Sequence, residues 1–229
     1  RMTPEKSHSI RHLKPVVIRL IQTVSLNEAM VRIHDYPTLK VINVLISLLY
    51  DPDELIFWAA VTLIGEVVSH LADHQIESAR TVMRRLMWSL NDESGGIGWG
   101  SPQAMGEIMA RSRRMADEYG RILISYIQPA GNFIEHPALQ TGVLWGLGRM
   151  LHARLVDQDA DIQTALVPFL ESPDIQIRGL AARIAAAIPN MQNTPIVNRL
   201  KNDGAAVTIR LNGLVTETTV GRLASGHPD

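Results

Sequence analysis

The chain of 229 residues contains no cysteine. That removes disulfides, thiolate metal sites and cysteine nucleophiles together, and it gives no support to an oxidising compartment. A surplus of either charge is missing as well: 22 Lys and Arg stand against 23 Asp and Glu, for a formal net charge of -1. Neutralising a phosphate backbone takes an excess of cations, so nucleic acid is not the expected partner. The first residues, Arg1 to Ser9, are polar and lack the apolar stretch of a signal peptide. No run approaching the roughly 18 apolar residues that span a membrane is read from the sequence. A cytoplasmic protein without a membrane segment is the expectation. With 46% hydrophobic and 20% charged residues, the chain can bury a sizeable core and is not disordered.

What is present is an internal repeat. Leu49-Tyr50-Asp51-Pro52-Asp53-Glu54-Leu55-Ile56 reads in register with Leu170-Glu171-Ser172-Pro173-Asp174-Ile175-Gln176-Ile177. A small residue closes each unit at Gly65, Gly106, Gly148 and Ala186, in steps of 41, 42 and 38 residues. A helical unit of that length cannot cover its own apolar face and must stack on the next. Pro52 and Pro173 lie beside acidic residues, as at the start of a helix, where a missing N–H is tolerated and negative charge is favoured. Gly65, Gly106 and Gly148 fall inside apolar-periodic stretches, where glycine costs about 1 kcal/mol relative to alanine. Close approach of a neighbouring helix would explain them. The periodicity predicts helices at 9–22, 26–34, 38–50, 53–71, 75–90, 100–111, 114–128, 137–154, 160–171, 174–188 and 194–202.

The leucine, the Pro/Asp turn and the Arg178/Ala181/Ala182 pattern closing on a small residue make residues 37 to 203 resemble HEAT-like repeats of the bilin-lyase type. The resemblance implies an all-α fold, a right-handed α-α superhelix. Residues 1–36 would cap it with N-terminal helices, and residues 204–229 depart from it. There Val207-Thr208-Ile209-Arg210-Leu211 alternates, Asn212-Gly213 follows, and Leu214 to Val220 is rich in Thr and Val, which predicts a small C-terminal β-hairpin with a type I′ turn. A further helix through Ile209-Arg210, matching Ile177-Arg178, is the alternative, against which the β-branched density argues. An exposed hairpin would leave homodimer formation open.

Candidate functional residues fall into two groups. The segment Asn91 to Gly100 holds four glycines and a tryptophan. One expectation is a partner-binding loop, with Gly95, Gly96 and Gly98 admitting a close backbone and Asp92, Glu93 and Trp99 making contacts. The other is a structured turn whose Trp fills the gap between repeats. It is not a phosphate loop, since no Gly-Lys-Ser/Thr follows. The second group, Glu66, Glu107 and Arg149 with Arg178, would line one face formed by the second helix of each repeat.

Metal and cofactor chemistry finds little support. His70 and His74 share a helical face with Glu66 and are a weak metal set; a solvated helix face explains them, as it does His8/His12. Asp157, Asp159 and Asp161 imitate a calcium loop that fails at Ile162 and Pro168. In repeat hydroxylases of the deoxyhypusine type, His-Glu pairs hold iron, but the aligned pairs here are Trp58-Ala59, Trp99-Gly100, Thr141-Gly142 and Gly179-Leu180. Repeat DNA glycosylases need a basic concave face, whereas Arg84/Arg85 and Arg111/Arg113/Arg114 each lie near acidic residues. No cofactor and no catalytic residue is expected. The function the resemblance suggests is a docking scaffold for another protein. A metal-dependent enzyme and a nucleic-acid binder are the alternatives.

Overall fold

Asp53 and Asp174, the acidic residues of the two matching turns, start their helices by capping them. The Asp53 carboxylate accepts the Leu55 N–H at 2.8 Å, and that of Asp174 accepts the N–H groups of Gln176 and Ile177 at 2.8 and 3.1 Å. Each satisfies donors that a helix terminus leaves unpaired. Pro52 and Pro173 stand one residue before the cap, outside the helix, so the start signal is the aspartate and the proline only stiffens the approach.

The computed structural model describes residues 10–153, 160–211 and 213–227. Helices occupy Ile10–Thr23 (α1), Leu26–Arg32 (α2), Thr38–Leu48 (α3), Glu54–His74 (α4), Ile76–Ser89 (α5), Ser101–Arg111 (α6), Arg113–Ser125 (α7), Pro137–Ala153 (α8), Ala160–Leu170 (α9), Ile175–Ala186 (α10), Pro195–Leu200 (α11) and Val220–Ala224 (α12). The first eleven are those the periodicity predicts, with ends displaced by three residues or fewer. Two strands, Ala206–Leu211 (β1) and Leu214–Thr219 (β2), pair antiparallel from Ala206 opposite Thr219 to Leu211 opposite Leu214. The hairpin is therefore present and the further helix through Ile209 is not. His8, Asn212 and the Asp157/Asp159 part of the calcium-like stretch lie outside the described residues.

Burial explains the packing order. On α5 the buried residues are Ala79, Val82, Met83 and Leu86, a single stripe at helical spacing. By contrast α6 buries every residue but Gln103 between Ser101 and Ala110, as a helix does when it is enclosed on several sides. Accordingly α4 packs on α6, α6 on α8, α8 on α10 and α10 on α12, and the amphipathic helices α3, α5, α7 and α9 each pack against members of that row. The long helix α4 corrects one sequence expectation. Its 21 residues are apolar enough, by length and composition, to cross a membrane. In the fold it is a core helix, with Val61, Leu63, Ile64 and Val68 buried between α3, α5 and α6.

The hairpin does not project freely. Val207 and Ile209 are buried, and Val207 packs beside Gly179 of α10. Gln176 Nε2 donates to the Thr208 carbonyl at 3.0 Å and Trp145 Nε1 to the Arg210 carbonyl at 2.9 Å. Gly213, at the turn, lies against Leu26 of α2, so the ribbon runs from α10 to the N-terminal helices. Its root is fixed by Asp203, whose carboxylate accepts the Ala205 N–H at 2.9 Å and Arg178 Nε at 2.9 Å. Arg178 is thus engaged with Asp203 and the Ser172 carbonyl, not displayed along a binding face.

These bonds, the Ala205 N–H first and Arg178 also, hold the Asp203 carboxyl below its usual pKa. Its contribution to stability is present above the unfolded value near 3.9 and disappears as pH falls through the lower folded value. Asp203→Asn is expected to lose about 1–2 kcal/mol in urea denaturation at pH 7. The gap to wild type should begin to narrow near about pH 4 and close as pH falls through the lower folded value. A gap that persists at low pH would show that the carboxylate charge plays no part.

Candidate functional site

Three of the residues singled out in the sequence meet on the row of packed helices. Glu66 of α4 takes the His34 ring Nε2 at 3.1 Å and Arg111 Nη1 at 2.9 Å. Arg111 turns its Nε to Glu107 at 3.0 Å, and Glu107 accepts Arg149 Nε from α8 at 2.8 Å. The result is a ladder of alternating charge across α4, α6 and α8. Glu107 is its buried centre, 4% exposed. A carboxylate removed from water persists only with charged or hydrogen-bonding partners, and here two guanidinium groups supply them.

The ladder forms one wall of a cavity of about 550 Å3. Trp58, Thr62 and Trp145 continue the wall, Leu26 and Met30 of α2 lie at one end, and Arg210, Leu211 and Gly213 of the hairpin lie across it. The two indoles are in contact, with ring centres 4.9 Å apart, and the Arg210 guanidinium lies 5.9 Å over the Trp58 ring while reaching Glu54 at 3.3 Å. At the far end stands Arg183 of α10, 9% exposed. Its Nη1 is buried and has no hydrogen-bond partner among the described residues. Burial, and then the charge of Arg149, bring its pKa down to about 10, with Glu107 opposing, so it remains a cation at neutral pH. The neighbouring His152 ring puts Nε2 at 2.8 Å from the Arg183 carbonyl. A carbonyl only accepts, so Nε2 carries the proton of this bond. Removal of the ring from water lowers the His152 pKa.

The glycine-rich segment lies elsewhere, and none of its residues lines this cavity. Asp92–Ser94 forms one 3-10 turn, started by Asn91 Oδ1 accepting the Glu93 N–H at 2.9 Å. Gly98 and Gly100 have φ of 71° and 73°, where a Cβ would also lie 2.6 Å from the Ser89 carbonyl oxygen and 2.8 Å from the Phe57 ring, respectively. Gly98 lets the segment fold tightly onto the end of α5, and Gly100 lets it fold onto Phe57 of α4 and Leu49. Gly95 opens to space, a Cβ at Gly96 would be in ordinary contact with the Ser94 and Tyr50 hydroxyls at 3.8 Å, and Ile97 is exposed. Trp99 is half-buried, with its ring edge on His136 at 5.4 Å. The candidate set is therefore split between two places.

The histidines make a stack: the ring centres of His34 and His70 are 4.8 Å apart and those of His70 and His74 are 4.4 Å apart. Glu66 is committed to His34 and Arg111, and no group of three His, Asp or Glu residues among the described residues is placed to hold a metal ion.

Trp145 and Arg183 were not singled out in the sequence, Trp58 and Arg111 entered it only in the comparison with repeat enzymes, and Arg210 only as part of the hairpin. A signal for part of this set exists. Thr62, Trp145 and Arg183 each stand three residues before the repeated small residue, at Gly65, Gly148 and Ala186, and all three line the cavity. The residue after the small one supplies Glu66, Glu107 and Arg149.

No protein-family model matches the chain. Over 64 residues it is 41% identical to an uncharacterized protein of Archaeoglobus fulgidus, a match that takes in 28% of this chain and 32% of that protein. The chain thus spans about a third of the relative's length.

Proposed function

We propose that this chain is a non-enzymatic binding module of the HEAT-like helical-repeat type, a right-handed stack of helix pairs that holds its ligand on the second helices. The single observation that carries this is the 550 Å3 cavity between that helix row and the hairpin, lined by arginines and tryptophans. A few polar groups converging in a concave, partly apolar enclosure of several hundred Å3 are what a small-ligand site has. The binding role is favoured over catalysis because Glu107, Arg111 and Arg149 neutralise and fix one another. The test is native mass spectrometry of protein purified from its host, beside Thr62→Trp, which fills the cavity. Wild type should carry a bound mass that the filled variant lacks. Identical spectra, with no adduct on either, would sink the chamber as a ligand site.

A second reading, docking of a partner protein, has its own support on a different face. An open groove between α5, α7 and the 126–136 segment reaches Asn91 at the start of the glycine-rich turn, and Trp88 at 55% and Phe133 at 39% exposure line it. Exposed aromatic side chains beside a groove are the usual anchors of protein interfaces. A Trp88→Ala/Phe133→Ala double variant should then lose any partner that co-elutes with wild type in gel filtration. Unchanged co-elution would remove this face from consideration.

A further inference from the structure

We infer that the cavity is an oxyanion site whose ligand is a small organic molecule bearing a phosphate or carboxylate group, held by Arg183 with Arg149. This rests on the reading of the cavity as a ligand chamber and adds the chemistry of its occupant.

The inference follows from charge. Along the chamber wall Arg111 and Arg149 are matched by Glu66 and Glu107, each guanidinium within 3.0 Å of a carboxylate oxygen. Arg183 lacks such a match: it is nine-tenths buried, its Nη1 has no partner among the described residues, and it sits beside Gly148, where the missing side chain leaves room for it. Among the described residues no carboxylate bonds Arg183 directly, Glu107 acting on it only at a distance, and a buried cation so placed costs stability that an anion in the chamber would offset. The guanidinium fork fits two oxygens of one oxyanion, in phosphate and carboxylate alike. His152, donating to the Arg183 carbonyl, fixes the backbone from which the fork extends.

The rest of the enclosure describes the remainder of the ligand. Trp58, Trp145 and Met30 offer an apolar wall, so the anionic group is carried on an organic body and is not a bare inorganic ion. A nucleic-acid strand does not fit this chamber, because the hairpin crosses it between α10 and α2 and the enclosed volume is that of a small molecule.

The test uses intact protein and four probes, phenyl phosphate, benzoate, benzyl alcohol and inorganic phosphate, titrated by calorimetry and by tryptophan fluorescence. Phenyl phosphate or benzoate should bind about tenfold or more tightly than benzyl alcohol, and the better of the two names the group. Arg183→Met should remove that preference, while Arg113→Gln, exposed and remote, should leave it intact. A second readout separates this role from a structural one: without ligand, Arg183→Met should melt at or above the wild-type temperature, because it removes an uncompensated buried charge. Equal affinity for anion and alcohol, an unchanged preference in Arg183→Met, or a lowered melting temperature in that variant would each overturn the oxyanion assignment. If benzyl alcohol binds wild type but not Thr62→Trp, the chamber stands while the anion falls. If no probe binds either protein, both fall together.

Discussion

Gly106→Ala is expected to be the most damaging single methyl group that can be added to this protein. A Cβ at Gly106 would lie 2.5 Å from the Gly146 carbonyl oxygen and 2.7 Å from its carbonyl carbon. Both are backbone atoms of α8, so no rotamer change relieves the clash, and α6 and α8 must separate along the contact between them. Forcing extra atoms into a packed interior costs about 1–3 kcal/mol and more where backbone has to move. We expect about 3 kcal/mol or more, read as a fall of about 6–12 °C in melting temperature for a chain of this size. Gly95→Ala is the control, since Gly95 has a positive φ but nothing within 4 Å of the added carbon, and only the about 1–2 kcal/mol of left-handed strain applies. Gly146→Ala meets the Pro102 carbonyl oxygen at 2.5 Å, and pairing it with Gly106→Ala should cost less than the sum, because one separation accommodates both. A Gly106→Ala protein that melts within a degree or two of wild type would mean that the two helices are not held this closely.

The same glycines show how far the sequence can be read. Their recurrence inside apolar stretches pointed to close helix contacts, and all three make them, but with unlike neighbours. Gly106 faces the backbone of Gly146, Gly65 faces the Glu107 side chain, and Gly148 makes room for the Arg183 guanidinium. Periodicity locates the contact; what fills it depends on the neighbouring helix, which one repeat does not encode. The helices were legible because caps and apolar spacing are local signals, and so was the hairpin, since alternation and Asn-Gly act within a few residues. Its position was not. The bonds that lay it over the chamber join Thr208 to Gln176, Arg210 to Trp145 and Arg210 to Glu54, separations of up to 156 residues. Glu66, Glu107 and Arg149 could be chosen because they follow the repeated small residue. Arg183 was missed because an arginine amid Ala181, Ala182, Ala185 and Ala186 reads as a solvated position until its burial is known.

Glu107→Ala should come next in severity, and its effect has a definite electrostatic form. Removing the carboxylate leaves Arg111 Nε and Arg149 Nε, now 3.0 and 2.8 Å from its oxygens, facing each other across a buried gap with Arg183 nearby. Arg111 keeps Glu66, so Arg149 is the charge left without its carboxylate, and deleting one partner of a buried ion pair costs about 3–5 kcal/mol. Glu107→Gln keeps the volume and one acceptor oxygen, so it should fall between wild type and alanine in urea denaturation. The decisive observation is what an added anion does. Among the described residues Arg111, Arg149 and Arg183 stand against Glu66 and Glu107, one cation in excess; in Glu107→Gln the excess is two. Phenyl phosphate should therefore bind Glu107→Gln more tightly than wild type and recover part of the lost stability, as ligand linkage requires. Rescue by phenyl phosphate but not by benzyl alcohol would tie the stability of the ladder and the chemistry of the chamber to the same charges. Equal loss with and without the anion would separate them, leaving Glu107 as a structural brace between α6 and α8.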